Sequence, residues 1–348
     1  MRERRIFYNY VASVAGIVVG FGLAEVATRL VAPQPFAESW YVNGPQGILI
    51  NKPSSVSRHE IGGRIVTYET NSKHQRNRAE PNPQAVRVLI LGDSFTLGIG
   101  LALEETYVDI FRKQLEARTG PAAFQLLNAA TGGWGTADQL VYLEAFGDDL
   151  KPSAVVVFLN FDDLRRSVER DVFVVSADGR ELVSVDRSER QSFLKTLIQN
   201  NRTYGYLLEH SHFVRLLRQS TRYLGVGTVT TPLTDDPDPE ELALEQTLAR
   251  LLFRRMAAWC EARNVKLTVL TTGWPSIEDP WLPMMLREEG IYFRDLRGQV
   301  ADVIGDNSDA FEIADDGHPN ARGALLIKNA AWPILESRLA DLAPHPTP

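Results

Sequence analysis

Apolar positions fall into three regimes along this chain. Residues 6–23 are apolar almost without interruption, broken only by small residues and Asn9, whereas residues 33–84 are rich in polar residues, glycine and proline. From residue 85 onward, short apolar runs alternate with segments whose apolar residues recur at helical spacing. Val86–Leu91 reads as a buried parallel strand, 106–118 as a helix ended by Gly120, 124–127 as a second strand, 137–146 as a second helix and Ala154–Leu159 as a third strand. Asp238-Pro239-Glu240-Glu241 opens another helix with a capping carboxylate, a first-turn proline and acidic residues at the positive dipole end. Its predicted buried stripe is Leu244, Leu248, Leu251, Leu252, Met256 and Trp259. A fourth strand over 265–270 and a closing helix over 321–342, bent or divided at Pro333, complete the pattern. Strand and helix in turn imply an α/β domain with a central parallel sheet and right-handed crossovers.

Two stretches depart from that alternation. Residues 33–84 suit a spacer with one or two short strands, Ile65-Val66-Thr67-Tyr68 being the best candidate. Residues 165–235 form an insertion, with a polar portion at 176–190 suited to a hairpin and a portion at 193–224 suited to two helices. A block of this size is either a cap over a site or a packing surface for a partner. The domain reading is therefore a cytoplasmic tip and transmembrane anchor over 1–32, the spacer over 33–84, and the α/β domain over 85–345 carrying the insertion.

Charge places the first regime. Arg2, Arg4 and Arg5 precede the apolar stretch and Glu25 and Arg29 follow it. About 18 apolar residues is near the lower limit for a membrane-crossing helix, and flanking arginines stay cytoplasmic, so the main domain is expected outside, periplasmic or extracellular. Two other readings exist: a signal peptide cleaved near Gly22-Leu23-Ala24, and a core helix of a soluble protein. The apolar part exceeds a usual signal core, and nothing polar marks an exposed face between Val11 and Gly22, which favours a retained anchor. Over the whole chain the formal net charge is −7, which argues against nucleic acid as a partner. The single cysteine, Cys260, excludes an internal disulfide and reads as a packing residue.

The candidate chemistry lies at strand ends. Gly92-Asp93-Ser94-Phe95 follows the first parallel strand, and Asp315-Asp316-Gly317-His318-Pro319-Asn320 precedes the closing helix. A serine exposed at the carboxyl end of a buried strand, with a distant aspartate and histidine three residues apart, is the material of a hydrolytic nucleophile. Asp316 is the rival to Asp315, and Asp93 and Asn320 have a plainer role open to them, holding loops by hydrogen bonds. The six histidines show no metal-ligand spacing, no phosphate-loop motif is present, and no metal or other cofactor is required by the sequence.

The ordered blocks resemble the SGNH, or GDSL-like, hydrolase superfamily over roughly residues 86–342. Gly92-Asp93-Ser94 matches its first block, Asn128-Ala129-Ala130-Thr131-Gly132-Gly133 its second, and Asp315-x-x-His318 its last. The resemblance implies a three-layer α/β/α, flavodoxin-like fold with Ser94 as nucleophile, His318 as general base and Asp315 as the group orienting the imidazole. It also implies an oxyanion site built from the N–H groups of Ser94 and Gly133 and an asparagine amide. Here the third block reads Asn160-Phe161-Asp162-Asp163, placing Asp162 where the amide belongs. An ionised carboxylate there repels developing charge, and losing one donor costs about 2.7–4 kcal/mol. Asp162 protonated in a dry site, Asn160 displaced into the donor position, or a slow or inactive enzyme are the three outcomes.

Two function classes follow. One is a membrane-anchored serine esterase or O-acyltransferase acting through an acyl-enzyme on small esters or, as the resemblance implies, on acylated exported glycans. The other is a catalytically impaired SGNH-like subunit binding a glycan or a membrane-protein partner. Trp40, Trp134, Trp274 and Trp281 have sugar stacking open to them, with core or rim packing the plainer role.

Overall fold

A computed structural model of the chain describes residues 2–121, 123–160, 162–185, 202–223, 238–272, 281–314 and 316–342. Arg2–Val31 is one continuous helix, α1, ending just before Pro33 and Pro35, which cannot extend it. Beyond it, Tyr41–Asn43 (β1) pairs antiparallel with Leu49–Asn51 (β2), and Ser55–Ile61 (β3) with Arg64–Thr70 (β4). Gly62 and Gly63, both at positive φ, make the two-residue turn between β3 and β4. Only one or two strands were expected in this stretch. The inward residues of β3 are Ser57 and His59, so its buried face carries no apolar alternation to read.

Val86–Leu91 (β5) begins the main sheet. It leads through a one-turn helix, Ser94–Leu97 (α2), and Tyr107–Thr119 (α3) to Phe124–Asn128 (β6), then through Thr136–Leu150 (α4) to Ala154–Leu159 (β7). Strands agree with the apolar runs to within a residue. Helix ends shift by capping: Thr106 Oγ1 accepts from Asp109 N at 3.2 Å, so Thr106 is the cap and α3 starts one residue later.

Asp163–Arg170 (α5) follows β7, and the hairpin of Phe173–Val175 (β8) with Leu182–Ser184 (β9) follows α5. The hairpin begins earlier than the polar residues suggested, because those residues form its turn. Arg202–His210 (α6) and His212–Tyr223 (α7) fall where two helices were expected. Residues 186–201 lie outside the described residues. Pro239–Glu261 (α8), Lys266–Thr271 (β10), Trp281–Glu288 (α9), Phe293–Arg294 (β11), Arg297–Ile304 (α10) and Ala321–Ala340 (α11) complete the described chain. Of the predicted α8 stripe, Leu248, Leu251, Leu252, Met256 and Trp259 are buried, and Leu244 lies outside the core, 45% exposed. The closing helix α11 runs on as one helix through Pro333.

By packing, Met1–Ser39 with Phe193–Thr234 forms one compact unit, and Trp40–Ser192 with Asp235–Pro348 the other. The larger unit is the three-layer α/β/α fold. Its parallel sheet has the order β11-β10-β7-β5-β6. One face buries Leu89, Leu91, Val155 and Val157 under α4 and α8; the other buries Val88, Ile90, Val156 and Phe158 under α3 and α11. Runs apolar at every position are what a strand covered on both faces requires. Cys260 is buried in the first layer, and burial pushes its thiol up to about 12.

The topology fixes where a site can form. After β5 the chain moves to β6 on one side and then to β7 on the other, so the carboxyl ends of β5 and β7 flank a switch point where loops diverge. Phe158 anchors β7 beneath it, with its ring 5.0 Å from Tyr107 and 6.2 Å from Phe111. Phe158→Ala should lower unfolding stability by about 3–5 kcal/mol, read from urea midpoints at unchanged slope.

Candidate active site

The sequence forces a tight turn after β5. A Cβ at Gly92 would stand 2.1 Å from Thr96 Oγ1 and 3.1 Å from Phe158 O, so only glycine lets the chain turn there. Asp93 caps α2, its Oδ1 accepting from Phe95 N at 2.9 Å, and Ser94 is the first residue of that buried turn. Four residues hold the turn from outside. Tyr107 donates its hydroxyl to Thr96 Oγ1 at 2.6 Å, and Asn128 Nδ2 donates to Thr96 O at 3.0 Å. Tyr68 accepts from Gly100 N at 2.7 Å. Arg76, fully buried, donates to the carbonyls of Leu97 and Gly98 at 2.6 Å each and of Leu101 at 2.5 Å. Burial pushes Arg76 down to about 10, and its guanidinium lies 4.3 Å from the Tyr68 ring centre.

His318 arrives from the other end of the chain. An isolated bridge between Glu312 and Pro319, with Ile313 N donating to His318 O at 2.8 Å, folds its loop back on itself. Asn320 closes that loop and starts α11. Its Nδ2 donates to Ala310 O and Glu312 O, and its Oδ1 accepts from Arg322 N and Gly323 N. The loop-holding roles open to Asp93 and Asn320 are thus both filled. The His318 ring lies 5.4 Å from the ring of Phe95, the neighbour of Ser94. Its Nδ1 is 2.5 Å from Asp316 Oδ1, and that bond holds the Asp316 carboxyl below the usual range. Asp315 lies outside the described residues.

Ser94 Oγ is bonded to Asp93 Oδ2 at 3.4 Å, and among the described residues it shares no hydrogen bond with His318. Ser94 itself is 7% exposed, so the turn sits just beneath the surface.

Beyond β7 the third block is organised by a cation that the sequence analysis did not single out. Arg166 Nη1 reaches Asp93 Oδ2 at 3.1 Å, Asp163 Oδ1 at 3.4 Å and Trp134 O at 3.2 Å, while Nη2 pairs with Asp162. The three carboxylates have oxygens within 4.8 Å of one another, close enough to chelate a cation, and the guanidinium shares all three. Asp93 and Asp163 are fully buried. Burial raises the pKa of Asp162 although Arg166 opposes the shift, and burial together with the Asp93 charge raises that of Asp163 well above the usual range. Asn160 gives its side-chain amide to Asp93 Oδ2 at 3.1 Å and its backbone N–H to Asp163 Oδ2 at 3.1 Å. Neither candidate for the third donor is thus an open amide in this arrangement: Asp162 is paired and the Asn160 amide serves Asp93.

Gly133 has φ +74°, a conformation that favours glycine. One turn beyond Arg166, Arg170 donates from Nη2 to Gly133 O at 2.5 Å. Arg166 and Arg170 of α5 therefore grip successive carbonyls, Trp134 and Gly133, of the loop after β6. A buried hydroxyl, Tyr41, bonds the backbone of Gly132. The signal available in the sequence was the i, i+4 spacing of Arg166 and Arg170 directly after Asp162-Asp163. Trp134 is core, donating to Leu49 O at 2.6 Å, and Trp40 stacks on His59. Trp281 lines a cleft with Arg180, Arg250 and Arg254, and Trp274 lies outside the described residues.

The profile of the GDSL-like lipase/acylhydrolase family matches residues 90–326. No curated protein matches the chain. Among solved structures, that of TesA is 16% identical, aligning over 72% of this chain and 98% of its own with a TM-score of 0.41. The psychrotrophic esterase EstA from Pseudoalteromonas sp. is 15% identical over 73% of this chain and 99% of its own, TM-score 0.39. The acetyl xylan esterase AlAXEase is 14% identical over 72% and 100%, TM-score 0.42.

Arg166→Met should leave three carboxylates without their shared cation and cost about 3–5 kcal/mol of stability at pH 7. The deficit has a definite pH sign. Groups whose folded pKa is raised, as for Asp162 and Asp163, favour folding at low pH and oppose it as pH rises through the folded value. The gap between Arg166→Met and the natural chain in urea melts should therefore shrink from pH 7 to pH 5.

Proposed function

The chain belongs to the GDSL-like lipase/acylhydrolase family, and we propose that it is a membrane-anchored serine esterase or O-acyltransferase with Ser94 as nucleophile and His318 as general base. The observation that carries this reading is the place of the His318 ring, 5.4 Å from that of Phe95 beside Ser94, with its Nδ1 already held by a carboxylate. With Nδ1 bonded to Asp316, Nε2 is the nitrogen left to face the serine. The reading requires the Ser94 side chain to turn from its long 3.4 Å contact with Asp93 toward that nitrogen.

The reaction then follows from the groups present. Ser94 Oγ attacks the ester carbonyl carbon as its proton passes to His318 Nε2, and the carbonyl oxygen becomes an oxyanion facing the N–H groups of Ser94 and Gly133. Collapse expels the alkoxide, which takes the proton from His318 and leaves an acyl-Ser94. A water or a sugar hydroxyl, deprotonated by the same imidazole, releases the acyl group. Asp162 and Arg166 form an ion pair beside this site, so their charges offset each other and the oxyanion meets two backbone donors in place of three. The result is a functional but slowed enzyme.

Anchoring is supported by the Tyr8–Val31 portion of α1, 24 residues that are almost wholly exposed and long enough to cross a bilayer at about 1.5 Å per residue. With the arginines of residues 2–5 cytoplasmic, the larger unit lies outside, where esters of exported glycans are the substrate class. The geometry supports Asp316 as the orienting carboxylate, whereas the three-residue spacing selects Asp315.

A second reading has its own observation. The Ser94 hydroxyl is bonded to Asp93 and Asp162 occupies the amide's place, as in a subunit that keeps the fold and binds a glycan or membrane-protein partner without turnover.

Fluorophosphonate labelling of the detergent-solubilised full chain separates the two. Labelling that Ser94→Ala abolishes, and that His318→Gln slows by roughly 10²–10⁴-fold, is the expected outcome. Well-folded protein that takes no label leaves the second reading in place. Asp316→Asn should slow labelling more than Asp315→Asn; the reverse order would hand the orienting role to Asp315. Asp162→Asn should accelerate labelling by roughly 10²-fold, since it restores a neutral donor.

A further inference from the structure

The smaller unit ties the end of α1 to the corner between α6 and α7 through one ion pair. Glu25 and Arg29 stand one turn apart on α1, 2.6 Å from each other. Glu25 Oε2 accepts from Ser211 Oγ at 2.6 Å and from Phe213 N at 2.9 Å, and its Oε1 accepts from His212 N at 3.0 Å. These are donors at the opening turn of α7, where N–H groups lack helical partners and a carboxylate is favoured. Arg29 Nη2 donates to His210 O at 2.9 Å, a carbonyl at the closing end of α6, where a cation is favoured. A single pair therefore satisfies both helix ends at the corner.

Further contacts fix the same level. Phe21 meets Phe213 edge to face at 5.7 Å, Gln34 N donates to His212 Nδ1 at 2.8 Å, and Arg215 Nη1 donates to Pro35 O at 2.6 Å. All of these groups lie where the apolar run of α1 gives way to charge. In a helix that crosses a bilayer, that is the boundary between acyl chains and headgroups.

The pair α6 and α7 has the composition this boundary selects. Residues 202–223 contain Tyr204, Tyr206, Phe213 and Tyr223, together with four arginines against the one acid Glu209, in a chain whose net charge is −7. Tyr206 is 61% and Leu217 50% exposed on α6 and α7. Exposed aromatic and aliphatic side chains among cations describe a helix lying in a membrane surface.

We propose that α6 and α7 lie on the outer face of the membrane, with Tyr206 and Leu217 at the headgroup boundary and the exposed Arg218 toward anionic phospholipid headgroups. This pair of helices is then a collar beside the emerging anchor, and this inference rests on the reading that α1 spans the bilayer.

The test uses the full chain, with Cys260 replaced by Ser, in vesicles of phosphatidylcholine and phosphatidylglycerol. Environment-sensitive fluorophores are placed singly through Ile17→Cys, Tyr206→Cys and Leu217→Cys, and quenching by spin-labelled lipid is read for each. Quenching at all three sites is expected, with at least a twofold loss at position 217 when Arg218→Glu is added or when phosphatidylglycerol is omitted. Quenching at 17 without quenching at 206 and 217 overturns the collar and leaves the anchor standing. Absence of quenching at 17 overturns the anchor, and the collar with it. Quenching at 206 and 217 that ignores both Arg218→Glu and lipid charge overturns the assignment to anionic headgroups.

Discussion

Burying three carboxylates at one strand edge is the constraint around which the site is arranged. Asp93, Asp162 and Asp163 come from the loops after β5 and β7, and the sheet order makes those loops neighbours. Without a cation such a group would neutralise by taking up protons or push the loops apart. Arg166 resolves this from one turn inside α5, and the same guanidinium reaches Trp134 O. The loops after β5, β6 and β7 are thus held by one charge. Positions in the Ser94 turn, the Gly133 loop and the third block depend on one another through it.

A second cation carries a different load. Arg76 donates to three backbone carbonyls and makes no ion pair among the described residues, and it supports the end of the turn that begins at Ser94. Charge-assisted bonds to carbonyls are stronger than neutral ones, and removing a buried donor that serves three acceptors takes such a bond from each. The turn is thereby clamped at its start by the Asp93 cap and at its end by Arg76, leaving the Ser94 side chain as its adjustable part. Rigid backbone around a rotating hydroxyl is the arrangement a nucleophile needs, since the reacting atom must find its base without moving the frame.

The fold was legible wherever burial on both faces left a nearly continuous apolar run, as in β5 with its single Arg87 and in β7, or wherever a capping pattern was strong, as at Asp238 before α8. It was not legible in β3, whose inward positions are Ser57 and His59, nor in β11, which is two residues long and carries no period. The candidate nucleophile and histidine were readable because each follows a structural boundary. Arg166 and Arg170 were not, because a surface-like run of charge on a short helix looks the same whether it faces water or a cluster of carboxylates. The partner of His318 Nδ1 shows the same limit: spacing selects between Asp315 and Asp316 only by analogy, whereas the bond to Asp316 is set by how Gly317, at φ +80°, turns the loop.

The acid at the third-block position makes physical sense only together with Arg166. Asp162 is the cap residue of α5, where the helix dipole favours negative charge, and its side chain accepts no capping bond there. Its partner stands four residues on, with the acid on the amino-terminal side, the favourable order for a helical pair. A neutral amide at 162 would free part of the guanidinium to serve Asp93 and Asp163 alone; a neutral residue at 166 would leave an acid facing the proposed oxyanion site. The two positions therefore form one unit of charge, and the chemistry possible at Ser94 is set by their sum and not by either side chain alone.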